Sequence, residues 1–319
     1  KGHLTEDSIT LLRAAGYTIR GEDRTYKPTI NDHHIELRIL RPQEIPLFVE
    51  EGLQDIGITG QDWIEETKAD VVELENLGFG NVRLVVAVPK DWDDINSLDD
   101  LLKKRVEQGK QVRISTEYLN IAANALRSTK TFQSRYPGLE PQIVTPWWKS
   151  GNNDQVGVYL SFGATEAKTP LAADAIVEVV DTGTSLERNG LKIIDEIMSS
   201  SAVLISNRRV LENASSREKV YDILTLLRGV IEGRRKLHIF VNVQKSNLRE
   251  LLNKLPALKR PTISELSDND WVAVNTIIDR DDYLMMIPEL RRLAQGLVVY
   301  EPRQVLPLEK ELIGGRCIE

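Results

Sequence analysis

The feature that most restricts the fold of this chain is an alternation of short apolar segments with amphipathic helical ones. Residues 83–88 and 175–180 are almost continuously apolar, which is typical of strands buried on both faces of a sheet. Between them, Ser97 can cap a helix at 98–108 that Gly109 ends. The alternation predicts α/β layers with mostly parallel strands.

A different order of elements follows a helix predicted from about Ser216 to Glu232, and the basic stretch 233–236 separates the two. The later elements are a strand at 237–243, a helix at 247–255, an extended piece at 261–266, a strand at 271–278, a helix at 281–294 and a strand at 297–300. This β-α-β-β-α-β order predicts a ferredoxin-like (ACT-like) domain. Its shape alone identifies no ligand.

Charge and composition exclude several classes of protein. The 319 residues include 41 Lys and Arg against 48 Asp and Glu, a net charge of −7. No basic stripe stands out, so nucleic acid is not expected as the main partner. No apolar run approaches the roughly 20 residues that cross a bilayer, and no signal peptide precedes the first element. We therefore expect a cytoplasmic protein without a membrane partner. The single cysteine, Cys317, excludes an intramolecular disulfide and a cysteine-based zinc site.

Residues 181–185, Asp-Thr-Gly-Thr-Ser, follow directly on the predicted strand 175–180. Hydroxyls and a glycine at a strand end let backbone N–H groups converge on an anion such as phosphate. The acids Glu178 and Asp181 flank this loop, and carboxylates suit ribose hydroxyls or a metal-bound substrate better than phosphate. Seen alone, the Thr-Gly-Thr-Ser tetrapeptide is more typical of a plain turn. Both acids can serve one ligand only if the chain turns at about Val180, because a regular strand places them on opposite faces.

Residues 174–191 as a whole closely resemble the signature with which ATP phosphoribosyltransferases bind phosphoribosyl pyrophosphate (PRPP). Other segments resemble landmarks of that family in the same order, at 1–4, 44–52, 55–60, 77–80, 83–89 and 163–166. The last predicted domain resembles the histidine-binding regulatory domain of the long form of the family, at 255–256, 259–263 and 270–274. The resemblance covers nearly the whole chain.

The resemblance implies a two-lobed catalytic core, similar in fold to periplasmic binding proteins, followed by the regulatory domain. Lobe I would comprise 1–88 with 190–232, lobe II would comprise 89–189 and carry the PRPP loop, and the regulatory domain would comprise 237–319. Members of the family form dimers and hexamers, so a homo-oligomer is implied.

The resemblance also implies a reaction, the first step of histidine biosynthesis. Adenine N1 of ATP attacks the anomeric carbon of PRPP, pyrophosphate leaves, and histidine acts as the feedback inhibitor. No protein nucleophile is needed, so catalysis rests on orientation and on electrostatic support. Mg²⁺ is the expected cofactor, because this hard cation bridges phosphate oxygens and needs few protein ligands. A dedicated metal site in the protein is not expected.

The matching positions give individual residues their expected roles. The 5′-phosphate of PRPP is assigned to Thr182, Gly183, Thr184 and Ser185, and its ribose to the catalytic acids Glu178 and Asp181. Other substrate contacts are assigned to Lys1, Gly2, Thr59, Gly60, Arg83 and Glu166, and contacts with histidine to Asn242 and Thr262. Structural alternatives stay open: a terminal residue without a role at Lys1, a surface position at Arg83, a plain turn at Thr59-Gly60, a solvated acid at Glu166, and strand and turn positions at Asn242 and Thr262.

Two other functions remain as alternatives. A solute-binding or sensor protein without chemistry would also have two α/β lobes, and a second candidate is a phosphoribosyltransferase for another base. The chain departs from the family at His3, where arginine is usual, at Glu117, where lysine is usual, and in a longer loop at 146–156. The tryptophans at 147, 148 and 271 are interpreted as packing residues.

Overall fold

The computed structural model describes residues 3–255 and 261–306, so Lys1 and Gly2 lie outside the described residues. The chain divides into two compact units, one containing Leu40–Val210 and the other containing Thr5–Ile39 with the residues from Leu211 onward. Across the described part of the chain, no helix combines the length and the apolar character that crossing a membrane requires.

The helices are α1 His3–Ala14, α2 Ile45–Glu50, α3 Gln61–Thr67, α4 Leu98–Glu107, α5 Leu119–Ser128, α6 Lys130–Arg135, α7 Thr184–Arg188, α8 Arg208–Glu212, α9 Ala214–Arg235, α10 Lys245–Lys254 and α11 Tyr283–Leu293, with a 3-10 turn at Thr165–Lys168. The strands are β1 Ile19–Arg20, β2 Thr29–Ile30, β3 Ile56–Gly60, β4 Val72–Asn76, β5 Val82–Pro89, β6 Val112–Thr116, β7 Pro141–Val144, β8 Lys149–Ser150, β9 Asn153–Leu160, β10 Ala175–Val180, β11 Leu191–Ser200, β12 Ala202–Ser206, β13 Lys236–Gln244, β14 Thr262–Glu265, β15 Trp271–Asp279 and β16 Ala294–Tyr300.

The first unit contains a seven-stranded sheet in the order β11-β5-β10-β6-β9-β7-β8. Its central strands β10, β6, β9 and β7 pair in parallel, whereas β5, β11 and β8 pair antiparallel. The prediction of mostly parallel strands was therefore wrong outside the central group. The physical reason is connectivity: β5 enters from β4, which lies in a separate three-stranded sheet, and runs opposite to β10. Strand β11 runs opposite to β5, in the same direction as β10, and leads into β12 of that separate sheet.

The predicted burial of the central strands on both faces is confirmed. Alternate side chains of β5 contribute to different cores, with Leu84 and Val86 in the larger one and Val85 and Ala87 in a smaller one that also contains Leu186. Because side chains alternate across a strand, such a segment must be apolar almost throughout.

The predicted helix ends are partly confirmed. The Ser97 hydroxyl oxygen accepts a hydrogen bond from the Asp100 N–H at 3.1 Å, so Ser97 caps α4 as expected. Helix α4 ends at Glu107, one residue before the predicted end, and Gly109 follows with a φ of +61°.

The three-stranded sheet has the order β3-β12-β4 and is antiparallel. Strands β5 and β11, which fall in the residue ranges expected for lobe I, pair in the seven-stranded sheet beside β10. The boundaries of the two lobes stay a prediction.

The second unit contains the predicted β-α-β-β-α-β domain, and the fold class is thereby confirmed. Its antiparallel sheet has the order β14-β15-β13-β16. One face is buried against α10 and α11 through residues such as Ile239, Val241 and Leu290. On β13 the alternate residues Phe240 and Asn242 belong to the other, more open face.

Candidate active site

The loop that follows β10 begins after Val180, close to where the sequence predicts that the chain turns. Strand β10 ends at Val180, Gly183 has a φ of +81°, and α7 begins at Thr184. A positive φ is accessible to glycine without steric cost, which accounts for the glycine here. The side chains of Asp181, Thr182 and Thr184 are exposed, and the two threonine hydroxyls lie 2.9 Å apart.

The backbone of this loop has amides available to a ligand. The Glu187 N–H donates to the Gly183 carbonyl oxygen at 3.3 Å, so the N–H groups of residues 184–186 precede the first helical hydrogen bond. The Thr184 N–H has only a long hydrogen bond of 3.5 Å to the Thr182 hydroxyl oxygen. Amides in such a turn can bind an anion.

The acid Glu166 is brought to the loop although it lies 19 residues earlier in the chain. It belongs to the 3-10 turn Thr165–Lys168, and its Oε1 accepts a hydrogen bond from the Ser185 hydroxyl at 2.9 Å. The structure therefore places the expected substrate contact Glu166 beside the expected phosphate loop.

Glu178 is half-buried on β10. Burial raises the pKa of its carboxyl group, and the charges of Glu166 and Glu117 raise it further. Hydrogen bonds from the Val179 N–H, at 3.0 Å to Oε1, and from the Thr165 side chain act in the opposite direction. Three acids from different elements thus share one local electrostatic environment.

Arg83 lies on the strand next to the loop, directly opposite Val180 in the β5–β10 pairing. Its guanidinium donates to Glu196 at 3.3 Å, and both side chains are exposed. A cavity of about 360 Å³ is lined by Arg83 and Asp181 together with Gln61, Asn81, Val82 and residues 199–201. The structure thus brings the expected cation and the expected acid to one concave surface.

The pair Thr59-Gly60 has clear structural roles. The Thr59 side chain is fully buried, and its hydroxyl donates to the Pro42 carbonyl oxygen at 3.0 Å. A Cβ atom on Gly60 would lie 2.1 Å from Oδ1 of Asp62, so a side chain there would displace that carboxylate. These contacts favour the alternative in which the pair serves the turn between β3 and α3.

One buried network was not predicted. Asp62 is 5% exposed, and its carboxylate accepts hydrogen bonds from the Tyr118 hydroxyl at 2.7 Å and the Ser200 hydroxyl at 2.6 Å. Burial, and then the charge of Asp62, raise the pKa of Tyr118, which keeps the phenol protonated as the donor. One turn later, Glu66 accepts from the backbone N–H groups of Asn120 and Ile121 at the start of α5.

The tryptophans of the 146–156 loop are not packed as predicted. Trp147 is 73% exposed and Trp148 is 50% exposed, and both lie in the short connection between β7 and β8. The ring of Trp147 contacts that of Phe162 edge-on at a centroid distance of 5.8 Å. Trp271 is half-buried.

The two residues expected to hold histidine share one face of the C-terminal sheet. Asn242 lies opposite Ala273, and Thr262 lies opposite Asn275 two residues further along the same strand. Directly paired residues, and residues two apart on one strand, lie on the same face. Both side chains are exposed there.

Family models and sequence relatives match nearly the whole chain. The family model for ATP phosphoribosyltransferase matches residues 41–229, and the model for the C-terminal domain of the same family matches residues 233–303. The ATP phosphoribosyltransferase of Solibacter usitatus is 39% identical over 312 residues, covering 96% of this chain and 97% of the relative. That of Thermodesulfovibrio yellowstonii is 37% identical over 313 residues, covering 96% of each.

A solved structure has a similar fold. It is the ATP phosphoribosyl transferase (HisG:HisZ) complex from Thermotoga maritima, with a TM-score of 0.52 and 24% identity, covering 71% of this chain and 93% of that one. Taken together, the matched family models and the relatives establish that this chain is an enzyme of the ATP phosphoribosyltransferase family of histidine biosynthesis, in its long form.

Proposed function

We propose that this chain transfers the phosphoribosyl group of PRPP to N1 of ATP with release of pyrophosphate. The observation that carries the proposal is the loop 181–185, which follows a buried strand. The loop has available amides and exposed hydroxyls, and acids from three different elements lie in its surroundings. In an α/β sheet, ligands bind at the carboxyl ends of the parallel strands, and β10 is one of those strands.

The loop holds the 5′-phosphate of PRPP through the N–H groups of residues 183–186 and the hydroxyls of Thr182 and Thr184. The hydroxyl of Ser185 already donates to Glu166, so it contributes mainly by fixing that acid. Glu178 and Asp181 accept hydrogen bonds from the ribose hydroxyls, because an ionised carboxylate is an acceptor only.

The electrostatics of the site suit the proposed chemistry. Positive charge develops on the ribose ring as pyrophosphate departs, and the carboxylates of Glu178, Glu166 and Glu117 stabilise charge of that sign. Arg83, at the edge of the neighbouring cavity, balances the charge of a phosphate group. Orientation of the two substrates supplies the rest.

Mg²⁺ is the proposed cofactor. Carboxylate oxygens such as those of Glu178 and Glu166 are ligands of the type this ion takes, while substrate phosphates and water supply most of its coordination. Among the described residues, no cluster of three His, Cys, Asp or Glu side chains could hold a metal ion alone. When bound, the ion would neutralise phosphate charge.

Regulation and assembly form part of the proposal. Histidine binds the open face of the C-terminal sheet at Asn242 and Thr262 and inhibits the enzyme. The chain acts in the cytoplasm as a homo-oligomer, either a dimer or a hexamer. The Thermotoga structure is itself a complex, which supports an assembled state.

The test combines purified protein with ATP, PRPP and Mg²⁺ and follows the ultraviolet absorbance change of phosphoribosyl-ATP formation. We expect product only when both substrates are present, and strongly reduced product with Glu178→Gln. A folded protein that binds both substrates without forming product would contradict the proposal and favour a binding protein.

A further inference from the structure

Helix α3 packs on both sheets of the first unit. On one side, Ile64 packs against the small core of the three-stranded sheet, which contains Val49 and Val203. On the other side, Trp63 packs against the larger core of the seven-stranded sheet, and its ring stacks on that of Tyr118 at a centroid distance of 4.4 Å. Because adjacent residues of a helix point in different directions, one short helix contributes to both cores.

Two buried acids of the same helix hold the start of α5. Asp62 is 5% exposed and Glu66 is 8% exposed. The Tyr118 hydroxyl donates to the Asp62 carboxylate at 2.7 Å, and the backbone N–H groups of Asn120 and Ile121 donate to the Glu66 carboxylate at 2.9 and 3.0 Å. The Asn120 side-chain amide also donates to the Glu66 carbonyl oxygen at 2.8 Å. Glu66 thus supplies the acceptor that a capping residue would supply for α5, although it belongs to another element.

The chain passes between the two sheets twice, from β4 to β5 and from β11 to β12, and α3 is bound to both passages. The second passage consists of Ser201 alone. Just before it, the Ser200 hydroxyl donates to Asp62 at 2.6 Å and accepts from the Asp62 N–H at 3.1 Å. The Ser201 hydroxyl donates to the Gln61 side chain at 3.2 Å and accepts at 2.7 Å from the side-chain amide of Asn76, the last residue of β4.

The opening between the sheets shapes the candidate active site. The cavity beside the phosphate loop is lined by Gln61 of α3 on one side and by Arg83 and Asp181 on the other. Many two-lobed proteins close around a ligand by rotating about a few connecting residues. Such a rotation would here separate Asp62 and Glu66 from donors on α5 or just before it, and a carboxylate left buried without its donors is unfavourable.

We propose that α3 is a clasp, in which the positioning residues Asp62 and Glu66 hold the two sheets at a fixed opening before any substrate binds. The clasp is a property of the free protein; its consequence for PRPP rests on the proposed function. Substrates would meet a preformed cavity, so that their orientation requires no closure of the cleft. A binding protein that closes by hinge bending would behave in the opposite way.

The opening can be measured as a distance between two spin labels. Glu51→Cys, at the end of α2, and Gln133→Cys, on α6, place exposed labels beside the smaller and the larger core. Cys317→Ser removes the single native cysteine. With the clasp intact, we expect one narrow distance distribution in the free protein and the same distribution after PRPP is added.

Glu66→Gln leaves one carbonyl oxygen in place of the two carboxylate oxygens that accept from α5. We expect a broader distribution in the free protein, which PRPP narrows to the original one. If about a tenth of the free molecules keep the competent opening, the dissociation constant for PRPP rises roughly tenfold. Tyr118→Phe, which retains the ring stacked on Trp63, should act in the same direction. Glu65→Gln is the matched control, because it removes an exposed charge from the same helix, and it should change neither quantity.

Several results would overturn the clasp. One is a distance that shortens on PRPP addition while the clasp is intact, and another is a distribution that stays narrow in both Glu66→Gln and Tyr118→Phe. Equal broadening in Glu65→Gln would show an effect of charge alone. If circular dichroism shows that Glu66→Gln is unfolded, Tyr118→Phe decides. The comparison of free proteins needs no substrate, so a failure to bind PRPP would refute the proposed function, whereas broadening in the free variants would still support the clasp.

Discussion

Gly183→Asp is the sharpest test of the phosphate loop. Gly183 precedes α7 with a φ of +81°, and a Cβ atom there would lie 3.4 Å from the nearest heavy atom, Cδ1 of Ile193. A Cβ atom at this position is therefore in ordinary contact, and the aspartate carboxylate places a negative charge among the amides proposed to hold the 5′-phosphate.

The size of the effect follows from Coulomb repulsion. Two unit charges about 5 Å apart in a medium of effective dielectric about 20 repel by about 3 kcal/mol. A phosphate carries more than one charge near neutral pH, so this is a lower bound. PRPP affinity should fall by more than about a hundredfold. The positive φ costs about 1–2 kcal/mol in folding stability, a cost that free and bound protein share and that does not weaken binding.

The measurement is calorimetric titration with PRPP, and Gly190→Asp is the matched control. Gly190 also has a positive φ, +73°, with no atom within 4 Å of a built Cβ, and it lies beyond the other end of α7. The Gly190→Asp protein should bind PRPP with unchanged affinity. Unchanged affinity in Gly183→Asp, with circular dichroism showing a folded protein, would refute the phosphate role. Equal losses in both variants would point to strain in place of charge.

Three further outcomes are expected. The acid limb of the activity profile should lie at a higher pH than an ordinary glutamate would give, because activity needs ionised Glu178 and the pKa of this carboxyl group is raised. Glu178→Gln should have a low kcat/KM without this acid limb, and a limb at the pH of an ordinary glutamate would contradict the assignment. Tyr118→Phe leaves the buried Asp62 carboxylate with one donor fewer, so urea unfolding should show a loss of about 1–3 kcal/mol, whereas unchanged stability would show that the bond contributes nothing. Asn242→Ala should raise the histidine concentration for half-inhibition by about tenfold, the loss of roughly one hydrogen bond, with the uninhibited rate unchanged; normal inhibition would place histidine elsewhere.

Much of the fold could be predicted because its signals are local. Ser97 caps α4 through its own side chain, and the C-terminal order of strands and helices follows from periodicity alone. The direction of each strand could not be predicted, because an apolar pattern indicates that a strand is buried but not which strand pairs with it. The antiparallel pairing of β5 with β10 is an example.

The candidate site divides in the same way. Glu178 and the loop 181–185 were predictable because they are adjacent in the chain and resemble a family signature. Asp62 and Glu66, four residues apart on a helix, are typical of a solvated charged face, yet both are buried. Their partners Tyr118, Asn120 and Ser200 lie more than 50 residues away in the chain, and no local pattern indicates such a partner.

By itself, the amino-acid sequence determined many of the strands and helices, the position of the proposed phosphate loop, and the family to which the chain is similar. Only the tertiary structure decided that Glu166 meets Ser185, and that Asp62 meets Tyr118 and Ser200. The physical reason is that a strand's period selects its buried face, whereas the charge state of a carboxylate depends on groups that folding brings within a few ångströms from distant parts of the chain.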